Sequence, residues 1–107
     1  MSEKLAELVG GDLAAGLLAR ARSMIDDVDA QMVALLGQRF KLTRQVGKLK
    51  AAADLPSRDA ARETEQQERL AQLAVAENVD PELVRRLFSE ITDCVVAEHD
   101  AMKAQLL

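Results

Sequence analysis

The apolar residues in the first half of the chain recur in one register. Ile25, Val28, Met32, Leu35, Leu42, Val46 and Leu49 fall on a line whose steps alternate between three and four, and Arg39 fills the position between Leu35 and Leu42. Such alternation keeps a stripe on one side of a helix, as in a coiled-coil seam. No proline lies between Leu17 and Leu55, so the spacing predicts one helix of about 35 residues, about 50 Å long. A compact domain of this chain length has a radius of gyration of only about 13 Å. A helix that long cannot be covered by its own chain, and a second copy is the simplest cover.

Two breaks divide the rest. In "DLPSRD" (54–59), Pro56 stops the first helix and Ser57 is expected to cap the next, over about 58–77. The first half of that helix, "RDAARETEQQER", holds nothing apolar larger than Ala, whereas the second half has Leu70, Leu73 and Val75. In "ENVDPE" (77–82), Asp80 is placed to cap and Pro81 to open a third helix over about 81–105. Its apolar face holds Val84, Leu87, Phe88, Ile91, Val95 and Met102. The pattern contains no strand and no repeat. Residues 1–16, interrupted by Gly10-Gly11, read as a flexible leader, and residues 17–107 as a single domain. The expected fold class is all-α: a three-helix chain with one very long N-terminal helix, built into an intertwined homodimer.

Composition narrows the partners. Hydrophobic content of 49% is that of a folded protein. With no Tyr or Trp, two Phe and a net charge of −4, the chain lacks both the stacking platform and the positive field of a nucleic-acid binder. The same charge argues against an anionic membrane surface, and no apolar run is long enough to span a bilayer. One Cys and one His cannot build a Cys/His zinc site within one chain, and no cofactor is expected. A lone cysteine and the lack of a signal-peptide pattern fit a cytoplasmic protein.

Against that acidic background, "QRFKLTRQVGKLK" (38–50) is locally basic. Lys41, Arg44 and Lys48 fall off the apolar line and read as a solvated face. Arg39 lies on it. A guanidinium in a seam either snorkels out, pairs with a carboxylate of another helix, or meets an anionic ligand. Lys50 follows Arg39 by eleven residues, which returns it to within about 20° of the same face and about 16 Å along the axis. That gap suits a small dicarboxylate. Arg22 is about 25 Å before Arg39 along the helix and rotated by about 100°; it is either a solvated arginine or a contribution to a partner's site. Asp59, Arg62 and Glu63 share a face of the second helix, as an ion-paired first turn or as a pocket wall. His99 keeps register with Phe88, Val95 and Met102, as a core histidine or a site residue.

Taken together, Arg22, "VDAQMVALLGQR" ending in Arg39, "VGKLK" ending in Lys50 and "LPSRDAARE" resemble the all-helical class of chorismate mutases, over about residues 18–105. The resemblance implies an intertwined dimer of three-helix chains with two shared sites. Arg22 would reach into the partner's site, while Arg39, Lys50, Asp59, Arg62 and Glu63 would line the site of their own chain. Arg22, Arg39 and Arg62 would hold the two carboxylates of chorismate. Lys50 would contact a carboxylate and the ether oxygen, and Glu63, with the backbone near Asp59, the ring hydroxyl. The reaction implied is the cofactor-free rearrangement of chorismate to prephenate in aromatic amino-acid biosynthesis.

The chain departs from the family pattern at two positions of the third helix. Val95 stands where the family usually has Ser, and His99 where it usually has a Gln that donates to the ether oxygen. His99 can replace that Gln only if it presents an N–H there. The altered positions leave relatives of the substrate open: a 4-amino-4-deoxychorismate mutase or an isochorismate-pyruvate lyase. The retained "RDAARE" favours a mutase. A non-catalytic helical dimerisation module is the remaining alternative, disfavoured by an arginine in the seam.

Overall fold

The computed structural model describes residues 10–106. They form three helices, α1 (Gly11–Ala52), α2 (Ala60–Ala76) and α3 (Pro81–Gln105), and no strand among the described residues. The chain divides into two compact units, Met1–Arg39 and Phe40–Leu107, and α1 runs through the boundary.

In the first unit α1 begins at Gly11, earlier than the expected start at Leu17. Gly10 adopts φ +75°, and its carbonyl accepts from Ala14 N at 3.0 Å. Asp12 in the first turn complements the helix dipole, and Leu13, Ala14 and Ala15 are strong helix formers that outweigh Gly11 and Gly16. Residues 11–16 of the expected leader are therefore helical, and residues 1–9 lie outside the described residues. Ile25, Val28, Met32 and Leu35 are each more than half exposed. No described residue of this unit is buried.

The second unit holds the core. Here α2 packs on α3 around Leu70, Ala74 and Ile91, and Gln67 Nε2 donates to Ser89 Oγ across them at 3.5 Å. The cap of α2 is Asp59, not the expected Ser57: its carboxylate accepts from Arg62 N at 3.0 Å, and extended backbone at Asp59 (φ −121°, ψ 97°) allows it. Asp80 caps α3 through Glu82 N at 3.0 Å, with Pro81 at the start, as the sequence predicts.

Helices α1 and α2 both end in a left-handed residue that is not glycine. Asp54 (φ 54°) is flanked by Leu55 N donating to Lys50 O at 2.8 Å and Asp54 N donating to Ala51 O at 3.3 Å. Asn78 (φ 57°) repeats the arrangement with Val79 N to Ala74 O at 2.8 Å and Asn78 N to Val75 O at 3.1 Å. Both are Schellman closures, which satisfy the last carbonyls of the helix.

The C-terminal part of α1 meets α3 closely at Gly47, the buried residue of α1. A Cβ there would lie 2.5 Å from His99 Cδ2 and 2.6 Å from Met102 Sδ. Real Cβ atoms do not sit that close, so the imidazole and the thioether require glycine opposite them. Arg44 Nε donates to Glu98 Oε1 at 2.7 Å beside this contact, and the Arg44 guanidinium lies 5.6 Å from the Phe40 ring centroid.

Two stability measurements follow from this packing. Gly47→Ala should lower unfolding free energy by about 1–3 kcal/mol, the usual range for an overpacked contact. Asp54→Gly should raise it by about 0.5 kcal/mol, because relief of left-handed strain exceeds the added chain entropy of glycine. Chemical denaturation at fixed protein concentration reads both.

Candidate active site

Of the candidate residues, Arg22 and Arg39 belong to the first unit, and Lys50, Asp59, Arg62, Glu63, Val95 and His99 to the second. Arg22 is exposed and Arg39 half-buried, with its Nη1 shielded from solvent.

Within the second unit several candidates are held by groups outside the set. Half-buried Lys50, in the last turn of α1, donates from Nζ to Ser57 O at 3.1 Å. The bond tethers the ammonium to the segment that leads into α2. Asp59 is committed to capping, and Arg62 is exposed. Glu63, in the first turn of α2, accepts from Arg58 Nη1 at 2.7 Å, and Arg58 Nη2 reaches Asp93 Oδ1 of α3 at 3.0 Å. Hydrogen bonding to Asp93, then to Glu63, holds the Arg58 guanidinium above its ordinary range. Val95 is half-buried.

Polar side chains line a cleft of about 450 Å³ between α2 and α3, among them Arg58, Glu63, Gln67, Arg85, Ser89 and Asp93. The apolar-poor first half of α2 thus does form a pocket wall. Of the three residues expected there, Glu63 lines the cleft, while Asp59 and Arg62 do not. Arg85 is oriented by Glu82 at 2.8 Å, and the same hydrogen bond holds the Glu82 carboxyl below the usual carboxylate range.

His99 is 2% exposed, and its Nε2 lies 2.7 Å from the backbone oxygen of Thr43. A carbonyl oxygen only accepts, so Nε2 carries the proton. Nδ1 is buried with no hydrogen-bond partner. The imidazole is therefore both a packing residue between helices and a polar group with one atom unmet. Among the described residues no His/Cys/Asp/Glu group could hold a metal ion.

The model of the family "Chorismate mutase type II" matches residues 21–100. The chain belongs to the type II chorismate mutase family. All of the candidate residues fall inside the matched segment, and the all-α expectation agrees with the family and with the three helices. The bifunctional chorismate mutase/prephenate dehydratase of Escherichia coli (strain K12) is 36% identical over 90 residues, covering 84% of this chain and 23% of that protein. The chorismate mutase of Methanocaldococcus jannaschii is 29% identical over 91 residues, covering 84% of this chain and 87% of that protein. The chain thus spans about a quarter of the bifunctional relative and most of the archaeal one.

Seen as a mutase-family chain, the protein has supporting residues that pattern reading passed over. Gly47 carried a signal: an isolated glycine inside a strongly periodic helix marks close packing. Thr43 carried none, because its contribution is a backbone oxygen. Arg58 and Asp93 lie 35 residues apart and become a pair only once α2 and α3 are docked.

Arg58→Gln isolates the bridge. Both its ion pairs lie at the surface, with the Arg58 side chain about half exposed, so the melting temperature should fall only slightly. If Glu63 works on a ligand, kcat/KM should fall by more than this small loss implies, because Glu63 loses the group that orients it. Thermal unfolding and steady-state kinetics on one preparation separate the two effects.

Proposed function

We propose that the chain is a chorismate mutase, converting chorismate to prephenate without a cofactor, and that it works as a homodimer with two shared sites. The observation that carries the reading is the family match over residues 21–100, which contains every candidate residue from Arg22 to His99. The reaction breaks a C–O bond while forming a C–C bond in one pericyclic step. It needs no nucleophile or proton relay. It needs the substrate held in a folded conformer and fixed positive groups where negative charge grows on the ether oxygen. Arg22, Arg39 and Arg62 are the residues for the two carboxylates, Lys50 for a carboxylate and the ether oxygen, and Glu63 for the ring hydroxyl. Val95 would supply only shape where the family offers a hydroxyl.

Support for the dimer comes from the surface of the single chain. Ile25, Val28, Met32, Leu35, Leu42 and Leu49 are all more than half exposed, and Val46 nearly so. One such residue is ordinary, but a register of them along a helix is a seam without its partner. Arg22 then serves a site in the second copy. No helix among the described residues is long and apolar enough to cross a membrane.

Purified protein should convert chorismate to prephenate, with product identified by mass, and should leave isochorismate and 4-amino-4-deoxychorismate unchanged. Turnover of one of these instead would move the protein to that substrate. Arg39→Leu should lower turnover by about 10²–10³ or more, the cost of deleting a preorganised donor. It should leave the helical circular dichroism intact, since leucine continues the stripe between Leu35 and Leu42. Sedimentation at micromolar concentration should give a two-chain species. Mixing Arg22→Ala with Arg39→Ala chains should restore activity in heterodimers, where one of the two sites is free of both lesions. A fully active monomer would refute the shared site.

A further inference from the structure

We propose that Thr43 and Gly47 are positioning residues that hold His99 in a single tautomer, so that His99 can donate to a bound anion only from Nδ1 and only with a second proton on the ring. The identity of the anion rests on the mutase reading. The tautomer does not.

The argument begins at the ring. Nε2 is 2.7 Å from Thr43 O, a short contact that requires N–H at Nε2. The ring cannot easily turn to exchange its nitrogens. It is 2% exposed, and the position of a Cβ on Gly47 would be 2.5 Å from Cδ2 and 3.0 Å from Nε2. Glycine therefore lets the ring lie against α1, and the backbone oxygen one turn earlier fixes which nitrogen points there. Nδ1 is left buried and unpartnered. In the neutral ring that atom is a bare acceptor.

An acceptor is the wrong partner for an ether oxygen or a carboxylate. Where the family usually places a glutamine, whose amide always donates, this chain places an atom that donates only when protonated. The proton comes from solvent, and an arriving dianion favours a positive charge beside it. Binding and protonation are then linked, each strengthening the other. Charged groups of both signs lie next to His99 along the chain and across from it: Glu98, paired with Arg44 of α1, and Asp100 and Lys103 on α3 itself. A ligand carrying two negative charges shifts that balance toward the protonated ring.

His99 is the one histidine of the chain, so its ring nitrogens can be observed without assignment by mutation. Two-bond ¹⁵N–¹H spectra of labelled free protein should show the neutral ring with its proton on Nε2. Chorismate turnover should fall tenfold per pH unit on the alkaline side of the histidine titration. His99→Gln, whose amide donates at every pH, should remove that slope. Gly47→Ala, if it folds, should displace the ring and mix the tautomers in the same spectra. A neutral ring protonated on Nδ1 in the free protein would overturn the proposal. So would wild-type turnover that is level across the titration, or an unaltered slope in His99→Gln. If chorismate is not turned over at any pH, the mutase reading fails, and the spectra still decide the tautomer.

Discussion

The close approach of α1 and α3 at Gly47 is the constraint on which the second unit depends. A side chain at residue 47 would occupy the space of the His99 ring and the Met102 sulfur. Because there is none, a buried imidazole can lie against the helix and bind a backbone oxygen that already serves the helix ladder. That contact places the end of α3, and the Arg44–Glu98 pair repeats it one step toward solvent. Dispersion at a close helix contact is strong because many atoms meet at optimal distance. Few large residues are buried elsewhere, so this contact and the Leu70–Ala74–Ile91 cluster carry the packing between the described helices.

Polar chemistry is arranged around the same frame by bonds to fixed groups. Lys50 is tied to Ser57 O just beyond the Schellman turn, and Glu63 to Arg58, which is tied in turn to Asp93. Electrostatic catalysis depends on charges that do not reorganise as the reaction proceeds. Tethering of this kind is how an exposed chain keeps long side chains from wandering. In the reading proposed above, the ligand exchanges some of these tethers for its own carboxylates and hydroxyl.

The helices were legible because their signals are local. Alternating threes and fours, the Pro56 and Pro81 breaks and the Asp80 cap each need only neighbouring residues. The start of α1 was misplaced because Gly10-Gly11 reads as a breaker, whereas only Gly10 takes a positive φ. The cap of α2 was misplaced because Ser57 and Asp59 are both good caps, and only the observed backbone chooses Asp59. The candidate residues were legible as out-of-place charges and through a family resemblance. What held them was not. Thr43 acts through its backbone, and Arg58 meets Asp93 only after docking. The orientation of the His99 ring depends on a glycine whose importance is the absence of a side chain.

The two Schellman closures bear on how the chain reaches its native state. At Asp54 and at Asn78 the turn of direction is encoded by backbone bonds that span five residues or fewer, and Asp59 and Asp80 restart the helices almost at once. Each bend can therefore form before any distant contact exists. Closing such short loops takes tens of nanoseconds and little entropy. For α2 and α3 the search for a partner begins with the helices already joined by a preset corner. Topologies of that kind belong to the fast end of the folding spectrum, so the slow step left to the molecule is the one that covers the apolar stripe of α1, which stays exposed in the folded single chain.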